Sequence, residues 1–220
     1  MEIKLDDAWE TAERFTMGPE NDVCITISGD TIVGTAMDPE DRLFNHSNEL
    51  PVFNGIIAGY NRGEFGGKVA FIPNSGQEYN LINENFRGFY TLEDRVFVLT
   101  GFSHMFSDNG HIYEIINSEG KWQAEQVLDL SSCPESYLLV DKTLYLATNR
   151  ALLVIEDNEV KESITIEASW VGFYPNSLIK ANSKLYVGIR GGMVSVGLDD
   201  RKITWYSLGK STPQEPEQAP

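Results

Sequence analysis

Pro134-Glu-Ser-Tyr-Leu-Leu-Val-Asp-Lys-Thr-Leu-Tyr-Leu-Ala-Thr-Asn-Arg-Ala-Leu-Leu-Val-Ile155 is repeated later as Pro175-Asn-Ser-Leu-Ile-Lys-Ala-Asn-Ser-Lys-Leu-Tyr-Val-Gly-Ile-Arg-Gly-Gly-Met-Val-Ser-Val196. The two segments align without a gap at an offset of 41 residues. Pro, Ser, Leu and Tyr are identical at matching positions, and Asp141 aligns with Asn182 at a polar turn. A period of about 40 to 45 residues in strand-rich sequence is typical of β-propeller blades. The repeat therefore predicts an all-β repeat fold.

The same unit recurs upstream in less regular form. Residues 87–130 contain a hairpin, a ten-residue insertion at 101–110 and two further strands, and residues 54–82 and 23–36 contain shorter versions. In each of the last two units the fourth strand is the most polar, as expected for the outer rim of a propeller. We therefore predict an all-β fold, a small β-propeller of five four-stranded blades, with four blades as the alternative.

The polar turn, the Leu-Tyr-Val-Gly segment and the Gly-Gly-Met-Val-Ser-Val segment resemble blades of known bacterial propellers, the quinoprotein-like and two-component-regulator-like families. The resemblance covers about residues 86–209 and concerns the fold. The tryptophan-dock motifs of quinoprotein blades and the Trp-Asp dipeptide of eukaryotic propellers are absent. The resemblance therefore implies no functional residue.

The ends of the chain differ from the repeats. Residues 4–16 carry apolar side chains at the spacing of one helical face, which predicts a short N-terminal helix. Residues 38–53 are predicted to form a long polar loop, and the last ten residues lack apolar side chains and are predicted to be disordered. The predicted organisation is an acidic helix and linker (1–20), a single propeller domain (21–209) and a disordered tail (210–220).

Charge and composition narrow the class of protein. The net charge is −16, and residues 1–50 contain twelve acidic side chains against three basic ones. This sign disfavours direct binding to nucleic acid and favours encounter with a basic protein, although it also favours solubility. There is no apolar run of 18 residues and no signal-peptide pattern, so we expect a cytoplasmic, bacterial protein without a membrane span. Cys24 and Cys133 are predicted to be buried thiols rather than a disulfide.

Motifs for catalysis are absent from the sequence. It has no Gly-x-Ser-x-Gly, no P-loop, and no His-x-His or Cys-x-x-Cys pair for a metal. The histidines are His46, His104 and His111, of which His111 is expected to be structural and the other two lie in insertions. Asp108-Asn109-Gly110 is expected to be a turn rather than part of a calcium loop. We predict a protein that is not an enzyme and that uses no cofactor or metal.

The insertions supply the candidate binding residues. In 101–110, exposed aromatic and Met side chains are typical of interface anchors, although they could equally fold back onto a blade edge. The connection at 61–66 is the equivalent of this insertion in the preceding unit, so the two are expected to lie side by side. The candidates are Phe102, His104, Met105, Phe106, Asp108, Arg62, Glu64 and Phe65, together with Asp38, Glu40 and Asp41 of the acidic loop.

These observations favour a cytoplasmic protein-binding propeller. The most specific form of this hypothesis is a bacterial immunity protein, an inhibitor that neutralises a basic toxin such as a nuclease. One alternative is a sugar- or small-ligand-binding propeller with an aromatic pocket in each blade. A further alternative is a propeller lyase or hydrolase, in which His and carboxylate side chains converge.

Overall fold

The computed structural model describes residues 8–9, 22–29, 31–37, 48–166 and 172–207, which consist mainly of β-strands and turns. The strands are β1 (Ala8–Trp9), β2 (Asp22–Ser28), β3 (Thr31–Met37), β4 (Glu49–Val52), β5 (Gly55–Asn61), β6 (Gly67–Pro73), β7 (Tyr79–Ile82), β8 (Phe86–Leu92), β9 (Arg95–His104), β10 (Ser107–Ser118), β11 (Lys121–Asp129), β12 (Pro134–Val140), β13 (Thr143–Thr148), β14 (Ala151–Glu156), β15 (Glu159–Thr165), β16 (Ser177–Ala181), β17 (Lys184–Ile189), β18 (Gly192–Gly197) and β19 (Ile203–Ser207). A 3₁₀ turn, Gly63–Phe65, lies between β5 and β6.

The strands form antiparallel sheets in which sequence neighbours pair with each other. The first blade is β4–β7, the second β8–β11, the third β12–β15 and the fourth β16–β19. A two-stranded sheet, β2–β3, precedes them. Strand β1 extends the fourth blade at its outer edge, where Ala8 lies opposite Tyr206 and Trp9 opposite Trp205.

Asx residues at the aligned hairpin turns explain part of the repeat. Asp141 has a φ of 54° and Asn182 a φ of 52°. Two-residue turns between right-twisted strands require this left-handed conformation, and Asp and Asn adopt it more readily than other non-glycine residues. The alignment of these two positions thus reflects the same tight turn in both blades.

Hydrophobic clusters lie between consecutive sheets. Leu152 of the third blade and Trp205 of the fourth share one cluster, while Phe97 of the second blade and Leu146 of the third share another. The first and second blades enclose a third cluster, and β2–β3 packs on the fourth blade through Val23 and Met193. Both faces of the inner strands are therefore buried, which explains why their sequences are apolar runs rather than strict alternations.

The predicted architecture is confirmed in its coarse form: the fold is all-β and consists of stacked four-stranded blades. Four such blades are present in the described residues, and β2–β3 stands in the place of a fifth with two strands only. A closed ring of five complete blades stays a prediction. The described residues contain no helix long and apolar enough to cross a bilayer.

Two local predictions are wrong. Within the predicted helix 4–16, Ala8–Trp9 is a strand, because the outer edge of β19 offers backbone hydrogen bonds that override local periodicity. Within the predicted loop 38–53, Glu49–Val52 is strand β4 of the first blade, since β5 supplies a partner that the polar sequence does not reveal. The rest of the N-terminal segment, residues 38–47 and the tail 210–220 lie outside the described residues.

Candidate partner-binding surface

The insertion at 101–110 is a β-hairpin rather than a loop. Strands β9 and β10 continue past the length of the other blades, with Phe102 paired to Asn109 and Gly101 to Gly110. The turn is at Met105, whose φ is 54°, and Phe106. The prediction of a turn at residues 108–110 is therefore wrong, because both halves of the insertion keep the backbone ladder of the strands that they extend.

One side of this hairpin is attached to the third blade. Asp108 Oδ1 accepts a hydrogen bond from the backbone N–H of Cys133 at 2.8 Å, and its Oδ2 accepts from Ser132 Oγ at 3.0 Å. Arg150 Nε also donates to Oδ2, at 2.8 Å. The Asp108 side chain is only 11% exposed. Asp108, a candidate for partner contact, instead holds the hairpin in place.

The other side of the hairpin faces the 3₁₀ turn of the first blade. The rings of Phe102 and His104 meet edge to face with centroids 6.1 Å apart. His104 Nδ1 lies 3.7 Å from Glu64 Oε2, a residue of the turn. The predicted side-by-side arrangement of the two connections is therefore observed.

Asn85 fixes the connection that contains the 3₁₀ turn. Its Oδ1 accepts from the backbone N–H of Arg62 at 3.1 Å, and its Nδ2 donates to the carbonyl of Gly63 at 2.8 Å. Asn85 is buried. Arg62 is exposed beside the turn, and its backbone rather than its side chain makes this contact.

Three large apolar side chains are exposed on these connections. Phe65 is 84% exposed, Met105 is 86% exposed and Phe106 is fully exposed. We call Phe65, Met105 and Phe106 the hairpin-tip surface. The sequence left open whether the side chains of the insertion are exposed or fold back onto a blade edge. Met105 and Phe106 are exposed, whereas Phe102 is half-buried. Exposed apolar groups of this size are typical of interface anchors.

A cleft of about 220 Å³ lies between the 3₁₀ connection and the base of the hairpin. Three glycines, three asparagines, Phe102, Glu84 and His111 line it. Glu84 Oε2 accepts from Thr100 Oγ1 at 2.6 Å and lies 2.8 Å from His111 Nδ1. Glu84 Oε1 accepts from the hydroxyl of Tyr113 at 2.8 Å. One carboxylate thus joins three side chains of the second blade.

This network determines the charge in the cleft. Burial by itself raises the pKa of Glu84, but hydrogen bonds from Thr100, His111 and Tyr113 outweigh burial and hold that pKa below its ordinary value of 4.5. Burial and the Glu84 carboxylate raise the pKa of Tyr113. Glu84 is therefore a fixed anion at neutral pH, while Tyr113 is a neutral donor.

The two cysteines and the possible metal ligands lie as follows in the described residues. Both are free thiols; Cys133 is buried as predicted, whereas Cys24 is only half-buried. Burial raises the pKa of the Cys133 thiol, so this group is unreactive. Across the described residues, no three His, Cys, Asp or Glu side chains are placed to hold a metal ion. His46, Asp38, Glu40 and Asp41 lie outside those residues.

The sugar-binding alternative required an aromatic residue at a loop position in each blade. Tyr145 is buried in the cluster between the third and fourth blades, and Tyr186 packs with Val23 and Met193. Tyr145 is thus part of the core, and Tyr186 is half-buried against it.

Glu84 was missed in the sequence because acidic residues are abundant. The run Asn83-Glu84-Asn85 before the first strand of a blade was the only available signal.

No protein-family model and no curated protein matches the chain. Similar solved structures include a quinoprotein alcohol dehydrogenase-like protein from Bacteroides thetaiotaomicron (15% identity, TM-score 0.47, covering 87% of this chain and 55% of that one). Virginiamycin B lyase from Staphylococcus aureus with quinupristin has 14% identity and a TM-score of 0.46, covering 86% of this chain and 71% of that one. Apo AztD from Citrobacter koseri has 11% identity and a TM-score of 0.43, covering 73% of this chain and 46% of that one. The chain thus spans about half the length of two of these proteins. At the level of fold, the chain resembles the bacterial β-propeller repeat proteins.

Proposed function

We propose that this chain is a non-enzymatic protein-binding propeller that engages its partner through the hairpin-tip surface. The observation that carries the proposal is the full exposure of Phe106 at the end of a hairpin, next to Met105 in the chain, with Phe65 exposed on the neighbouring connection. Burying one such side chain on a partner is favourable by about 1.5–3 kcal/mol. Three of them supply the apolar centre that a protein interface needs.

The contacts behind this surface support a preorganised binding site. Asp108 connects one side of the hairpin to the third blade, and His104 lies against Glu64 on the other side. A surface held in its bound conformation loses less conformational entropy on association. The extended hairpin is therefore suited to recognition rather than being a tolerated insertion.

We infer further that the partner is a basic protein. The most specific form of this proposal is that the partner is a bacterial toxin such as a nuclease, and that this chain is its cytoplasmic immunity protein. The net charge of −16 and the twelve acidic residues within 1–50 support this inference. Opposite charge accelerates association and disfavours wrong partners. Asp38, Glu40 and Asp41 belong to this acidic segment and are the first positions to neutralise.

The test combines a pull-down at low salt with the double variant Met105→Ala/Phe106→Ala. The tagged chain is co-expressed with the product of the neighbouring gene, and bound protein is eluted in a salt gradient. A basic partner released at moderate salt is expected, and the double variant should bind it at least about tenfold more weakly. The circular dichroism spectrum should not change, because both side chains are exposed.

Phe53→Ala is the matched control. Phe53 is 70% exposed in the turn before β5, at the opposite end of that strand from the 3₁₀ turn. Its backbone carbonyl accepts from Trp122 Nε1 at 3.3 Å, and this bond survives the substitution. Equal loss of binding in the control and the double variant, or no loss in either, would contradict the proposal.

A small-ligand-binding propeller is the second candidate, favoured by the cleft and by the 2.8 Å contact between Glu84 and His111. The same pair is what a propeller lyase or hydrolase would need for proton transfer. A thermal-shift screen of sugars and metabolites tests both. A stabilising compound whose effect disappears in Glu84→Gln would favour this candidate over protein binding.

A further inference from the structure

The cleft beside the hairpin-tip surface is rich in hydrogen-bond acceptors. Glu84 contributes a carboxylate that is fixed by three donors. His111 Nδ1 lies 2.8 Å from this carboxylate at the edge of the cleft. Asn83, whose Oδ1 accepts from Asn80 Nδ2 at 2.9 Å, and Asn109 are exposed at the cleft and carry amides that accept as well as donate. The fixed Glu84 carboxylate therefore makes the cleft complementary to a cationic hydrogen-bond donor.

The charge of the cleft points the same way. None of the described residues that line it is Lys or Arg. Arg87 Nε donates to the carbonyl of Gly101 at 3.1 Å, and this arginine forms an ion pair with Glu135 at 3.4 Å. The Glu84 carboxylate thus meets no Lys or Arg among the described residues of the lining, and its contact there is with His111 Nδ1 at 2.8 Å.

Size narrows the class of ligand. Pockets for drug-sized ligands measure about 300–1,000 Å³, and this cleft measures about 220 Å³. It is large enough for one side chain and small for a whole metabolite. Phe102 adds an aromatic surface, on which a flat cation stacks more favourably than a hydrated ammonium group does.

We propose that the cleft between the 3₁₀ connection and the hairpin binds the guanidinium group of an arginine side chain presented by the partner protein. The proposal rests on the proposed function, because the cleft adjoins the surface that would contact that partner. The hairpin-tip surface supplies apolar contact, and the cleft supplies recognition of a basic residue. Together they would select an arginine next to an apolar patch.

The experiment uses two small probes on the isotope-labelled full chain. N-acetylarginine amide carries the guanidinium group, and N-acetylcitrulline amide has the same shape without the charge. The amide resonances of Gly66, Gly67 and Gly101 report on the cleft by NMR. We expect them to shift on titration with the arginine probe, with a dissociation constant of roughly millimolar order. The citrulline probe should bind at least about tenfold more weakly.

Two variants test the role of Glu84. Glu84→Gln removes the charge and keeps a similar shape, and it should weaken the arginine probe at least about fivefold. Glu159→Gln, in the outer strand of the third blade, is the matched control and should bind like the wild type. The comparison of the two probes on the wild type needs no variant, so it remains decisive if Glu84→Gln folds poorly.

Three results would overturn the proposal: equal binding of both probes, no binding of either, or shifts produced only by a neutral sugar such as methyl glucoside. The test is separable from the proposed function. Met105→Ala/Phe106→Ala should leave the arginine probe unaffected while it abolishes partner capture. Probe binding without tip-dependent partner capture would therefore refute the proposed function alone.

Discussion

The Glu84 network connects the loop before the second blade to three strand positions, and Glu84→Gln tests its contribution to stability. The substitution keeps the size of the side chain but replaces a charged acceptor by an amide. Thr100, His111 and Tyr113 then face one carbonyl oxygen and one NH₂ group instead of two anionic oxygens. The free energy of unfolding is expected to fall at neutral pH.

The expected size follows from the number of bonds. A hydrogen bond to a charged group contributes about 1.5–3 kcal/mol and a neutral one about 0.5–1.5 kcal/mol, so each bond loses roughly 1 kcal/mol. Three bonds give a loss of about 3 kcal/mol for a fully buried group. Because the Glu84 side chain is 31% exposed, solvent screening reduces the expected loss to about 1.5–2 kcal/mol. For a chain of this length that corresponds to a fall in Tm of roughly 4–6 °C.

The pH dependence has a definite sign. The folded-state pKa of Glu84 is below its ordinary value of 4.5, so the unfolded chain binds the proton more readily. The stabilisation is fully present above the unfolded-state pKa and is lost as the pH falls through the folded-state pKa. The difference between wild type and Glu84→Gln should therefore shrink towards zero in acid.

Urea denaturation followed by circular dichroism measures this difference at several pH values from about pH 7 to about pH 3. Glu159→Gln, whose side chain is 72% exposed, is the control and should leave the urea midpoint unchanged. A wild-type advantage that stays constant over the whole range, or that grows in acid, would refute the assignment of Glu84 as an anion held by three donors. An unchanged stability at neutral pH would refute it as well.

Two further substitutions test how the hairpin and the blades are held. Asp108→Ala removes the three bonds to Ser132, Cys133 and Arg150, and we expect amide hydrogen exchange in residues 101–110 to accelerate at least about tenfold, while β18 stays protected. Unchanged exchange in the hairpin would show that the turn geometry alone holds it. Gly59→Ala places a Cβ 2.2 Å from Cγ of Phe86 at the interface of the first two blades. It should cost about 3 kcal/mol in urea denaturation, and Phe86→Leu in the same chain should recover part of that loss.

The candidate site was predictable where it depends on chain position and not where it depends on side-chain environment. The insertions at 61–66 and 101–110 stand at equivalent places in neighbouring repeats, so their proximity follows from blade stacking alone. Whether an individual side chain in these insertions is buried or exposed does not follow from blade stacking. Asp108 and Phe106 lie two residues apart, yet one is hydrogen-bonded to the next blade and the other is in solvent. Position along the hairpin decides this, because Phe106 is in the turn at the tip, whereas Asp108 is in strand β10 next to the third blade. The sequence analysis predicted a loop at 101–110 and therefore did not separate the two positions.

The sequence by itself determined the repeated blade, because a four-stranded unit buried on both faces needs apolar runs and Asx turns at a fixed period. It also determined the acidic charge. Only the tertiary structure decided that Ala8–Trp9 joins β19 as a strand, since the partner edge lies almost the whole chain away. Likewise, only tertiary packing brought Glu84 to Thr100, His111 and Tyr113. Local periodicity records which faces are buried, whereas contacts between distant segments depend on how the blades stack.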